Sequence, residues 1–160
     1  MTTAARSSGG FTLIEMLVVV SIMSVLAMIA LPLAELSAKR SKEEELRSGL
    51  RQIRGAIDRY KQLVDMGHVI RVEGASGYPP DLSVLTSGVP DAKSAKGEMI
   101  FILRRLPRDP FAADDLAAEQ TWRLRSYQSP PDAPVPGADV FDVRSGSDGV
   151  GLNGVPYAHW

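Results

Sequence analysis

Between Phe11 and Ala34 one side chain is charged, Glu15, and nearly everything around it is apolar. Phe11 to Leu31 is twenty-one residues, about 31 Å of helix at ~1.5 Å per residue, which matches the hydrocarbon core of a bilayer. The segment is long enough to span. A carboxylate in hydrocarbon costs roughly 2.5–3.5 kcal/mol, so such a group is expected to be paired and functional. The alternative is a glutamate at the headgroup boundary that snorkels to water.

A short polar leader ends in Gly9-Gly10, and Phe11-Thr12-Leu13-Ile14-Glu15 follows at once. This order of glycine, aromatic, glutamate and apolar run closely resembles the class III signal of type IV pilins and type II secretion pseudopilins. The resemblance implies that a prepilin peptidase cuts after Gly10 and methylates the new amino terminus at Phe11. Glu15 would then neutralise the terminal amine of a neighbouring subunit during assembly. Two opposite charges ~4 Å apart attract by about 4 kcal/mol at an effective dielectric of 20. A conventional secretory signal is cut after its apolar region; here the site precedes it, so the span stays on the mature protein. Arg6 stands alone before the span while Lys39, Arg40 and Lys42 follow it, so the positive-inside rule does not favour a cytoplasmic N-terminus. The resemblance does, and it implies a single-pass inner-membrane protein with its C-terminal domain in the periplasm.

The domain organisation expected is a leader over 1–10, a transmembrane and filament-core helix over 11–34, an amphipathic periplasmic helix over 35–66, and a small globular domain over 67–160. Leu46, Leu50, Ile53, Ile57, Tyr60 and Val64 recur at spacings of three and four, an apolar stripe for a compact domain to cover. The other face is charged and reads as solvated or inter-subunit pairs. Pro32 removes a helical hydrogen bond and predicts a kink; in filaments of the resembled family the helix near the matching proline is often melted. The helix is expected to stop near Asp65-Met66-Gly67, with Gly67 as the left-handed cap.

Tyr78-Pro79-Pro80-Asp81-Leu82-Ser83-Val84-Leu85 reads as a turn leading into one short helix. Leu106-Pro107-Arg108-Asp109-Pro110-Phe111 is close to the Leu-Pro-x-Asp-Pro-aromatic element of major pseudopilins, with Ala112 where that family commonly has glycine. Alternation predicts strands over Thr121–Gln128 and Asp139–Ser145. The linker between them carries four prolines from Ser129 to Gly137 and cannot be a strand. The fold expected is α+β and type IV pilin-like: a long N-terminal helix, membrane-spanning in its first half, packed against a small C-terminal antiparallel sheet with a glycine-rich C-terminal loop.

That loop, Arg144 to Gly154, joins glycines to short oxygen-bearing side chains, a composition able to surround calcium. It is similar to the calcium loop of the major pseudopilin. Asp148 matches an aspartate of the Ser-x-x-Asp-Gly element, and Ser145, Ser147 and Asn153 are the further oxygen donors expected. The family's second aspartate has no equivalent here. The competing reading is a metal-free turn in which Asp148 accepts from backbone amides.

The formal charge is −1, and −2 for residues 11–160 because the leader carries only Arg6. No clustered basic face is legible, which argues against a nucleic-acid partner. The chain has no cysteine, so an exported domain this small takes its stability from filament packing or a metal rather than from disulfides. His68 and His159 lack metal-motif spacing, and no acid–base pair is singled out. The reading that follows is a non-enzyme: a major pseudopilin that forms a helical homo-oligomer. It would meet the prepilin peptidase, minor pseudopilins and the inner-membrane secretion assembly platform, with the membrane as a further partner. A type IV pilin for adhesion, motility or DNA uptake is the alternative. From another class, a membrane-anchored periplasmic module that binds calcium or another ligand fits the same features.

Overall fold

The computed structural model describes residues 10–160; leader residues 1–9, with Arg6 and Gly9, lie outside the described residues. One helix, α1, runs from Leu13 to Asp65. Its start is a capping box: the Glu15 carboxylate accepts from the Thr12 amide at 2.8 Å and the Thr12 hydroxyl at 2.8 Å, and Thr12 Oγ1 accepts from the Glu15 amide at 3.3 Å. Its end is a Schellman turn. The His68 amide donates to the Leu63 carbonyl and the Gly67 amide to that of Val64, with Gly67 at φ +76°, as its sequence position predicts. α1 continues through Pro32, which lies inside the helix.

The chain divides into two units between Lys39 and Arg40. In the first, the helix exposes its apolar side chains, and the Ser21 and Ser24 hydroxyls donate to the carbonyls one turn back, Leu17 and Val20. Those serines therefore need no outside partner. The second unit, the head, buries the expected stripe: Leu46, Leu50, Ile53, Ile57, Tyr60 and Val64 pack with Leu82, Leu85, Trp122, Val140, Val143 and Tyr157.

Around that core run α2 (Val84–Ser87) and two small antiparallel sheets. β1 (Val89–Pro90) pairs with β2 (Met99–Ile100), a ribbon the sequence pattern does not reveal. β3 (Trp122–Arg125) pairs with β4 (Asp142–Ser145) in the register Trp122↔Ser145, Arg123↔Arg144, Leu124↔Val143 and Arg125↔Asp142. Both strands are shorter than alternation suggests, because their outer ends bond elsewhere. The Ser126 amide donates to the Val135 carbonyl in the proline-rich linker, and the Tyr127 amide to the Asp139 carboxylate.

Candidate functional site

The N-terminal end of α1 concentrates the processing and assembly residues expected from sequence. Gly10 is exposed, and Phe11 keeps 80% of its surface accessible. Leu17, Val18, Val19 and Val20 follow one another around the helix and are each at least half exposed, so no single face is covered. Glu15 lies on this same stretch, near its start, and Pro32 lies further along it. Thr12 is the residue the sequence reading passes over. Its signal is plain, since Thr12-Leu13-Ile14-Glu15 fits the capping-box pattern and supplies Glu15 with donors inside its own chain.

In the head, the C-terminal segment folds back onto α1 and is clasped there. Glu43, 3% exposed, accepts from the Leu152 amide at 2.8 Å and the Tyr157 hydroxyl at 3.1 Å. One turn on, the Arg47 guanidinium covers the Trp160 ring at 4.2 Å from its centroid. Arg54 donates to the Trp160 and Val143 carbonyls and to Asp142. Burial first, and the Glu43 bond second, push the Tyr157 phenol up to about 12. Gly151 sits inside this clasp, where an added Cβ would lie 2.5 Å from the Trp160 ring.

A second buried carboxylate ties the Leu106–Phe111 loop to the end of β4. Asp109, 1% exposed, accepts from the Phe111 amide at 2.8 Å, the Gly146 amide at 3.2 Å and the Ser145 hydroxyl. Asp139 gathers the Ser76 and Ser126 hydroxyls and the Tyr127 amide. Burial pushes its pKa up, but those donors outweigh it and leave the carboxyl below its ordinary value.

The four side chains expected around calcium have different hydrogen-bond and ion-pair partners in this fold. Ser145 Oγ is committed to Asp109, Ser147 Oγ accepts from the Gly149 amide, and Asn153 Oδ1 accepts from the Val155 amide. Asp148 is 87% exposed and faces Arg123 at 3.3 Å. Among the described residues no group of three or more His, Asp or Glu side chains converges as a metal site. Calcium needs six to eight oxygens in one shell, and this donor set does not fit it. Hydrogen bonds to Asp109 and Glu43 occupy the loop instead, two contacts that sequence reasoning missed. Glu43 was legible, because it continues the stripe of Leu46, Leu50 and Ile53 by one turn.

An α+β chain with a long apolar-headed helix, small antiparallel sheets and a processing signal at its N-terminus has the build of a type IV pilin-like protein. Residues 5–31 match the family model of the prokaryotic N-terminal methylation motif, a prepilin signal that implies cleavage by a prepilin peptidase and assembly into a filament. α1 is long and apolar enough to cross a membrane, with a mean hydropathy of 2.6 over its most apolar window. No curated protein and no solved structure matches the chain.

Proposed function

We propose that this chain is the major pseudopilin of a type II secretion system, the repeating subunit of a periplasmic pseudopilus that drives folded proteins across the outer membrane. The observation that carries the reading is the first unit of α1: a helix apolar on all sides whose described apolar side chains are exposed, headed by the methylation motif. Such a surface demands lipid before assembly and neighbouring helices after it. Cleavage follows Gly10, Phe11 becomes the methylated terminus, and Glu15 meets the amine of the adjoining subunit. The helix around Pro32 accommodates packing. Minor pseudopilins and the inner-membrane platform are the assembly partners, and the role is mechanical rather than catalytic. The absence of cysteine and the Leu106–Phe111 element built on Asp109 favour a pseudopilin over an adhesive pilin.

Deletion of the gene separates the two: loss of secretion with twitching retained supports the pseudopilus, and lost twitching with secretion intact assigns a type IV pilin. Cysteines placed along residues 12–30 test assembly itself. A filament gives cross-linked ladders, whereas a solitary membrane-anchored binding module gives none.

A further inference from the structure

The outer face of the β3–β4 sheet carries three arginines, Arg123, Arg125 and Arg144, of which Arg123 faces the Asp148 carboxylate at 3.3 Å. Arg123 and Arg144 are directly opposed across the strands, an arrangement that is destabilising for like charges. Arg125 lies on the same face opposite Asp142, but that carboxylate is already held by Arg54 at 2.8 Å. The Nε atoms of Arg125 and Arg144 are buried and, among the described residues, have no hydrogen-bond acceptor. Both arginines line a cleft of about 430 Å³, where three guanidiniums face two carboxylates, Asp132 and Asp142. The Arg125 guanidinium also lies 4.7 Å from the Phe141 ring, and what the two arginines offer an arriving oxyanion is charge-assisted hydrogen bonding at the cleft.

The chain also presents the complementary charge. Asp114 and Asp115 are adjacent and exposed, and no ion pair engages them among the described residues. Their turn is braced from within, because Arg108 donates to the carbonyls of Ala113 and Leu116 on either side of them. The acidic pair is thus a preorganised projection rather than a loose loop.

We propose that the Arg125–Arg144 cleft receives the Asp114–Asp115 turn of a second copy of this chain, a carboxylate–guanidinium contact between heads. The contact is heterologous, so each copy offers both a cleft and a projection, and repetition gives a filament rather than a closed dimer. It rests on the filament reading above and adds to it a site outside the apolar helix.

The test uses the full chain, assembled in membranes, and exploits its lack of native cysteine. One copy carries Ala158→Cys beside the cleft and another Ala113→Cys beside the projection; a short bismaleimide is expected to join the two copies. The paired change Arg125→Glu with Arg144→Glu lowers that product at least fivefold. So does Asp114→Arg with Asp115→Arg, and the two changes combined in every copy restore it. A control pair in the apolar segment, Met16→Cys with Met23→Cys, reports assembly independently. If that control ladders while the head pair does not, or if the combined reversal fails to restore the product, the contact is overturned and the filament stands. If neither pair cross-links, both readings fall. Retention of nucleic acid by the arginine face, without a head cross-link, overturns the proposal in favour of a polyanion ligand.

Discussion

α1 is one helix with two different environments. Before Arg40 its apolar residues surround the axis and lie open; from Arg40 onward they keep to one stripe and are buried by the head. The two acids on it follow the same division. Glu15 finds its donors within one turn, at Thr12, whereas Glu43 finds them in a distant part of the chain, at Leu152 and Tyr157. Helical propensity does not separate these halves, since both are continuous helix. What separates them is the angular spread of apolar side chains: a stripe can be covered by one domain, and an all-round surface needs several neighbours or lipid.

The sharpest way to break this comparison is to truncate one side chain in each half. Ile53→Ala removes a fully buried side chain and is expected to cost about 2–5 kcal/mol. Val19→Ala removes an exposed one and leaves the head's thermal transition in place. Tryptophan fluorescence of the full chain in detergent reads that transition, because Trp122 and Trp160 both lie in the head; equal losses from the two variants would refute the division.

The two glutamates give the next largest contrast. Glu43→Ala strands a buried hydroxyl and a part-buried amide and is expected to cost about 1–3 kcal/mol. Glu15→Ala should leave head melting unchanged while reducing assembled filament, so a melting loss with normal assembly sinks the distinction. Tyr157 sharpens it further. Its folded pKa is raised, so its contribution is complete below the ordinary value near ~10 and is lost as pH rises towards about 12. Absorbance titration should find that phenol ionising lower in Glu43→Gln, and no change would show that Glu43 does not hold it.

Acid probes the head more gently. Asp139 has a lowered pKa, set by burial that raises it and by the Ser76, Tyr127 and Ser126 donors that more than offset this. Its stabilisation is complete above the ordinary aspartate value of ~3.9 and disappears as pH falls through the folded value. Asp139→Asn should therefore flatten the acid limb of the head's stability curve; an identical limb in both proteins would assign it to other groups. The smallest effect expected is none at all. A site loaded at 100 times its dissociation constant adds about 2.7 kcal/mol, yet calcium or a chelator should leave the melting temperature of both the native chain and Asp148→Ala unmoved. A calcium-dependent rise that Asp148→Ala abolishes would restore the metal to the loop.

Local and periodic signals account for what the sequence makes legible. The apolar run, the 46–64 stripe and the Gly67 cap each depend on residues within one or two turns, and the structure has all three. The β3 and β4 strands were visible by alternation, but their ends were not. Competing acceptors at Val135 and Asp139 lie 9 and 12 residues away from the amides they take, beyond the reach of a local pattern. The C-terminal loop shows the same limit more strongly. Its composition suits calcium, while the groups that occupy its donors, Asp109 and Glu43, come from other parts of the chain.

The Glu43 clasp also sets an order of events during synthesis. Its two donors lie 109 and 114 residues beyond it, so the helix bearing Glu43 leaves the ribosome long before anything can bond to it. A carboxylate destined for burial must wait in water until Leu152 and Tyr157 have been made. The head accordingly closes late, as contacts of high sequence separation do. A nascent chain that stalls before Leu152 carries a finished anchor and an unfinished head.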